Sequence, residues 1–378
     1  MSLLEKNLPI VDLQGQYQRL KSEIDAAIQE VLDAGNFIQG AQVKSFSLHL
    51  ARYLGSGEVI PCANGTDALQ IAYMALGLKP GDEVIMPAFN YVAAAEAAAL
   101  MGLKPVFADV HPGTFNLDPE KAADAITPAT KAIVPVHLFG QSCDMDAIMK
   151  LAEKHGLFVI EDNAQAIGSY WKSGQYAGKK LGTIGHAGTT SFFPSKNLGC
   201  MGDGGALMCS DPQLAETIRK ICNHGQSTKY RYERIGINSR LDTLQAAILE
   251  VKLRHLDHFI AARQKAAAGY DRELQGISGI EIPERDPRSG HVFHQYTIKT
   301  ENREHRDRIR KHLEINGIQS MIYYPMPLHM QEGYRYLGYR EDAFPVSGHL
   351  SEKVLSLPMH TELDEEKIGF ICQTLRKA

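Results

Sequence analysis

Lys196 stands in the run Ser191-Phe192-Phe193-Pro194-Ser195-Lys196-Asn197-Leu198-Gly199, just ahead of Gly202-Asp203-Gly204-Gly205. Its neighbours are apolar or small. An amine held there gives up its proton more readily than one in water, because burial disfavours the ammonium. The neutral amine can then attack a carbonyl and form a Schiff base. Most lysines are solvated surface charges, and the chain has 40 Lys and Arg residues. A chemical role therefore needs a second constellation.

One lies upstream, in Leu157-Phe158-Val159-Ile160-Glu161-Asp162-Asn163-Ala164-Gln165. Four apolar residues in a row read as a buried parallel strand. Acidic residues follow at its carboxyl end, where open α/β sheets bind their ligands. A carboxylate at Asp162 can face a cationic ring nitrogen, the partner that pyridoxal phosphate needs to act as an electron sink. Taken without Lys196, Asp162 reads as a cap or turn residue after a strand. A third piece is Asn64-Gly65-Thr66-Asp67-Ala68-Leu69-Gln70, after the strand-like Val59-Ile60-Pro61-Cys62. Free N–H groups at a helix start and the Thr66 hydroxyl suit a phosphate. An ordinary helix cap would look the same. The tripeptide is formally a glycosylation sequon, discounted because no apolar signal segment precedes it.

These residues need a scaffold. From Ile60 to Cys209, strand-like runs alternate with helical ones. Glu83–Met86, Pro105–Ala108 and Ala132–Val136 read as strands. Tyr91–Met101 and Asp144–His155 read as helices, and Asp118-Pro119 opens another with Asp as cap and Pro at the first position. The alternation predicts a mostly parallel sheet with helices on both faces. Asp242–Leu256 reads as a long helix bridging two domains. From about residue 258 the pattern becomes helix, strand, helix, with His291–Ile298 as its clearest strand.

Composition sets limits. A chain of 378 residues suits two domains. A net charge of −4 without long runs argues against nucleic acid as a partner. No apolar stretch approaches the ~18 residues of a membrane span. Six scattered cysteines, at 62, 143, 200, 209, 222 and 372, show no metal spacing. They predict reduced structural thiols and a cytoplasmic location. Gly174–Lys179 is one residue short of a P-loop. His291 and His294, three apart on the expected strand, diverge and lack a third ligand, so no metal site is expected.

Taken in order, Asn-Gly-Thr-Asp-Ala-Leu from Asn64, Glu-Asp-x-Ala-Gln from Glu161, Ser-Phe-Phe-Pro-Ser-Lys from Ser191 and Gly-x-Asn-Ser-Arg from Gly236 resemble the DegT/DnrJ/EryC1/StrS family. These are nucleotide-sugar aminotransferases that use pyridoxal phosphate. The resemblance runs from Ile10-Val11-Asp12-Leu13 to Ser356-Leu357-Pro358-Met359-His360. It is nearest the branch acting on UDP-2-acetamido-3-oxo-glucuronate in O-antigen synthesis. It implies an α/β, aspartate-aminotransferase-like fold (PLP fold type I). A large domain with an N-terminal arm would span 1–257, and a smaller α+β domain 258–378.

The resemblance also implies roles. Lys196 would carry the cofactor and move the proton. Asp162 would pair with the pyridine nitrogen, and Gln165 with the phenolic oxygen. Gly65, Thr66 and Ser191 would hold the phosphate. Tyr91 would stack on the ring, although beside Phe89 it could simply pack. Asn238 would reach the phosphate of the neighbouring subunit's cofactor, making a homodimer with shared sites. Arg240, Tyr323, Tyr324 and His329 would line the substrate site, and the loop Phe37–Gly40 would lie near it. The branch has His-Tyr where this chain has Tyr323-Tyr324 before Pro325-Met326-Pro327-Leu328, which leaves the sugar open. The expected reaction is transamination from glutamate to a keto nucleotide sugar, with pyridoxal phosphate cycling through pyridoxamine phosphate. A 3-amino sugar is expected. The alternatives are 4-amination and a non-catalytic regulatory protein of the same fold.

Overall fold

The computed structural model describes residues 7–378. The first six residues of the expected arm lie outside them. Twelve strands are described: β1 Glu58–Cys62, β2 Glu83–Pro87, β3 Lys104–Ala108, β4 Thr130–Ile133, β5 Phe158–Asp162, β6 Ala187–Ser191, β7 Gly205–Cys209, β8 Gln226–Thr228, β9 Arg231–Tyr232, β10 Ile280–Glu281, β11 Tyr296–Thr300 and β12 Val354–Leu357. The central sheet has the order β1-β7-β6-β5-β4-β2-β3. Strands β2 to β6 pair in parallel, while β7 runs antiparallel to both β6 and β1.

The sequence shows why these strands sit where they do. Pro61 and Pro105 lie on β1 and β3, the two edges of the sheet. An edge tolerates a missing backbone donor that a central strand would need. Strands β2 and β7 are buried along their whole length; apart from Glu83, which opens β2 and accepts from Lys104 and Thr130, their side chains are apolar and suit an interior covered on two faces. Helix Ala93–Leu100 buries five alanines, whose small side chains allow close packing. Helix Pro119–Asp124 begins at the expected aspartate cap, Asp118, and the helix expected over 144–155 is Met145–His155, capped by Asp144.

A second sheet, β10-β11-β12, is antiparallel and comes from the last third of the chain. Leu8 and Ile10 join this region through Leu8 N–Gly317 O at 2.7 Å and Met359 N–Ile10 O at 3.1 Å. The helix expected over 242–256 is Thr243–Arg254, and the helical segment expected from about residue 258 is Leu256–Leu274, the two meeting at His255. The second one bridges the cores: Ile260 packs with the central-sheet cluster, Tyr270 and Leu274 with the C-terminal one. The strand expected from His291 begins only at Tyr296. Phe293 has φ +48°, and the His291 ring stacks on the Phe293 ring at 3.8 Å. A left-handed residue breaks the two-residue alternation of a strand.

All six cysteines are buried and unpaired. Among the described residues, no helix is long and apolar enough to cross a membrane. No group of His, Cys, Asp and Glu among them could hold a metal ion.

Candidate active site

Loops at the carboxyl ends of β1, β2, β4, β5 and β6 converge on one cavity of about 520 Å³. Its lining includes Gly65, Thr66, Tyr91, Asp162, Gln165, Ser191, Lys196, Tyr323 and Tyr324. Residues up to 260 positions apart in sequence thus meet where an open α/β sheet places its ligand.

Lys196 sits in a turn folded back on itself. Its N–H donates to Phe193 O at 2.8 Å, and Cys200 N–H donates to Phe192 O at 2.8 Å. A Cβ on Gly199 would lie 2.4 Å from Pro194 O, so the turn needs glycine there. The Lys196 side chain keeps some accessible surface, where it lines the cavity, but protein encloses it. Desolvation lowers its pKa to about 8, against the opposing pull of the Asp162 carboxylate. Lys252 is lowered as far, also by burial. Its ammonium, however, donates to Gly199 O at 2.7 Å, and it does not line the cavity. Position, not basicity alone, singles out Lys196.

Asp162 ends β5 and is buried. Burial raises its pKa, while the Ala164 N–H, Lys196 and His137 oppose the rise. The Ala164 N–H, 3.0 Å from Oδ1, is its one side-chain hydrogen bond among the described residues. A desolvated carboxylate with so little compensation favours a cationic N–H donor. The adjacent Glu161 is satisfied quite differently. It accepts from the amides of Gly182, Ile184 and Gly185 and from His137 Nε2 at 2.9 Å. Burial raises its pKa, but His137 and these amides outweigh that and hold it below the ordinary range. His137 Nδ1 accepts from Cys143 N–H, so Nε2 carries the proton. Glu161 anchors the strand end and leaves Asp162 for the cavity.

The third corner is the start of helix Gly65–Ala75. Asn64 caps it by accepting from Asp67 N–H at 2.8 Å. The N–H groups of Gly65 and Thr66 have no protein acceptor among the described residues. A Cβ on Gly65 would lie 2.7 Å from Ser191 Cβ, so only glycine lets the helix start approach Ser191. Two free amides and two hydroxyls at a helix N-terminus form an anion cradle.

Gln165 joins two loops: its Oε1 accepts from Phe139 N–H at 2.8 Å, and its Nε2 donates to Tyr324 OH at 3.1 Å. Burial pushes the Tyr324 phenol up. Phe89 is fully buried and packs edge-on against Tyr324, while Tyr91 is 58% exposed at the cavity. Tyr91 packs against Tyr324 at 6.5 Å between ring centroids, with the rest of its ring open to the cavity.

Three expected residues lie elsewhere in this chain. Arg240 borders a different cavity of about 400 Å³, together with Gln39, Arg219 and Lys220. Asn238 is exposed beside it and accepts from the Arg240 guanidinium. His329 is buried away from the Lys196 cavity, against Phe344 and the Glu341 carbonyl. Conversely, Asn90, His294 and Gln295 line the Lys196 cavity and were not expected. Each has a buried polar atom without a protein partner: Asn90 Oδ1, His294 Nδ1 and Gln295 Oε1. His294 escaped because the segment carrying it resembled a strand.

The residues present fit pyridoxal phosphate. The cavity holds a lysine of lowered pKa, a weakly compensated buried carboxylate and an anion cradle, the three contacts such a group requires.

Comparison with known proteins agrees. The model of the DegT/DnrJ/EryC1/StrS aminotransferase family matches residues 18–376. A Pseudomonas aeruginosa protein named UDP-2-acetamido-2-deoxy-3-oxo-D-glucuronate aminotransferase is 47% identical, over 97% of this chain and 99% of its own. A Geobacillus stearothermophilus protein named pleiotropic regulatory protein is 46% identical over 98% of each chain. Streptomyces venezuelae DesV, solved in complex with a ketimine intermediate, superposes with TM-score 0.94 at 39% identity, covering 98% of each chain. Bacillus subtilis NtdA, solved with bound pyridoxamine phosphate, gives TM-score 0.86 at 33% identity, covering 99% of this chain and 85% of its own. The fold is the PLP fold type I that the motifs implied. The chain belongs to the DegT/DnrJ/EryC1/StrS aminotransferase family.

Proposed function

We propose that this chain transfers an amino group from glutamate to a keto nucleotide sugar, giving a 3-amino sugar for surface polysaccharide synthesis. The observation that carries the reading is the meeting of Lys196, Asp162 and the Gly65–Ser191 cradle in one cavity. Pyridoxal phosphate, when bound there, supplies a carbonyl for the lysine and a ring that withdraws electrons.

The residues divide the work. Lys196 would offer its neutral Nζ to the cofactor's carbonyl and carry a proton as base and acid. Asp162 would hold its carboxylate toward a ring N–H. The amides of Gly65 and Thr66 and the Ser191 hydroxyl hold phosphate. Tyr91, at the cavity wall, would cover one face of the ring. Gln165, fixed by Phe139 and Tyr324, directs its remaining Nε2 hydrogen to the phenolic oxygen. Asn238 and Arg240 serve the site of a second copy, so the working unit is a homodimer. Tyr323 and Tyr324 contact the sugar, and residues 1–257 and 258–378 act as two domains.

The Pseudomonas relative's printed substrate supports a 3-keto sugar. The name of the Geobacillus relative raises a regulatory reading, and the intact set of Lys196, Asp162 and Gln165 weighs against it. The test is a panel of 3-keto and 4-keto nucleotide sugars with glutamate, following 2-oxoglutarate. Turnover confined to 4-keto sugars would overturn the 3-amino assignment, and no turnover with any would overturn the reading.

A further inference from the structure

Arg263 is buried inside the protein on helix Leu256–Leu274. No carboxylate pairs with it among the described residues. Its Nη1 donates instead to three backbone carbonyls: Phe293 O at 3.1 Å, His294 O at 3.4 Å and Met359 O at 2.8 Å. No other donor to these oxygens is found among the described residues. A buried cation kept without a counter-ion is costly, so its placement needs a reason beyond solubility or surface charge.

The carbonyls identify what it holds. Residues 291–295 form the strap that leads into β11. The strap is bound on its other side as well. Val292 N–H donates to Gly140 O at 2.9 Å, and Gln295 N–H to Phe139 O at 3.3 Å. Asn197, next to Lys196, donates its Nδ2 to Val292 O at 3.1 Å. A Cβ on Gly140 would lie 2.9 Å from the amide nitrogens of Phe293 and His294. The strap is thus wedged between the lysine turn and Arg263, and its His294 and Gln295 side chains form part of the cavity wall.

We propose that Arg263 is a positioning residue that seats His294 and Gln295 in the wall of the Lys196 cavity by holding the strap's carbonyls, and thereby sets affinity for the amino acceptor. This rests on reading that cavity as the transamination site. All three contacts leave from the one nitrogen Nη1. A lysine at 263 keeps the charge, but its side chain is one bond shorter than the path to Nη1 and brings its ammonium short of the carbonyls.

The experiment uses the full cofactor-loaded chain as wild type, Arg263→Lys and Arg263→Met, each also in a His294→Ala background. Two quantities are read: backbone amide exchange at Val292 and Gln295, and KM against kcat for the keto nucleotide sugar. In Arg263→Met the strap amides should exchange about tenfold faster or more, while those of β6 are unchanged. KM should rise about tenfold with kcat held within about twofold, and Arg263→Lys should fall between. In the His294→Ala background, Arg263→Met should add less to KM than it does alone. Wild-type strap exchange and KM in folded Arg263→Met would overturn the proposal, as would full additivity. If Arg263→Met does not fold, Arg263→Lys decides. An equal loss of kcat and kcat/KM there, with no faster strap exchange, would overturn it. If wild type aminates no keto nucleotide sugar, the functional reading fails by itself, and the exchange result still judges the clamp.

Discussion

Lys196 should titrate near pH 8 in the cofactor-free protein, because burial lowers its ammonium pKa to about 8. The consequence for reactivity is large. At pH 7 a group of pKa about 8 is roughly one-tenth neutral, whereas one of pKa about 10.4 is neutral in only about one molecule in 2,500. The site therefore raises the reactive amine by a factor of about 200 to 300 at neutral pH. Asp162 acts in the opposite sense, since its carboxylate favours the ammonium. Asp162→Asn should therefore move the Lys196 midpoint further down. The assay is competitive labelling with trace acetic anhydride from about pH 6 to 11, read peptide by peptide, with surface lysines as internal standards near their usual pKa of about 10.4. A Lys196 midpoint above pH 10 would refute the desolvation argument. A midpoint that rises in Asp162→Asn would refute the placement of the carboxylate beside it.

Three further predictions concern the same site. Lys196→Met should make the cofactor-free protein more stable at pH 7, by up to about 3 kcal/mol at about 1.4 kcal/mol per pKa unit. A lysine lowered on folding destabilises below its folded pKa, and the penalty fades as pH rises from about 8 toward the unfolded value; a gain in denaturant midpoint that does not shrink by pH 10 would speak against this. Gly65→Ala should weaken pyridoxal phosphate binding about tenfold or more while the fold persists, since its Cβ would sit 2.7 Å from Ser191 Cβ; unchanged affinity by equilibrium dialysis would remove Gly65 from the cradle. Mixing Asn238→Ala with Lys196→Ala should restore some activity in sites drawn from two chains; exchange of subunits without recovered activity would defeat the shared-site model.

Much of this was legible in the sequence for local reasons. Apolar runs ending in acidic or glycine-rich segments marked β5 and the turns around Lys196. The Asp118-Pro119 pair marked the start of helix Pro119–Asp124. What was hidden depends on contacts distant in sequence. The bridge between the cores was read into the helix from Asp242, whereas the next one, Leu256–Leu274, packs Ile260 on one core and Tyr270 on the other. Residues 291–295 have a strand's composition, but a positive φ at Phe293 and its hydrogen bonds to Phe139 and Gly140 make them a strap. His294 and Gln295 enter the cavity only through that shape. His329 follows a motif suggestive of the site, yet Phe344 and the Glu341 carbonyl hold it elsewhere.

The most direct test of the account separates the two half-reactions at Lys196. Protein loaded with pyridoxal phosphate should lose its visible absorbance when mixed with glutamate, releasing one 2-oxoglutarate per site. It should regain that absorbance on addition of a 3-keto nucleotide sugar, while Lys196→Ala does neither at a comparable rate. A wild-type absorbance that glutamate leaves unchanged, or a Lys196→Ala protein that completes the cycle as fast as wild type, would contradict it.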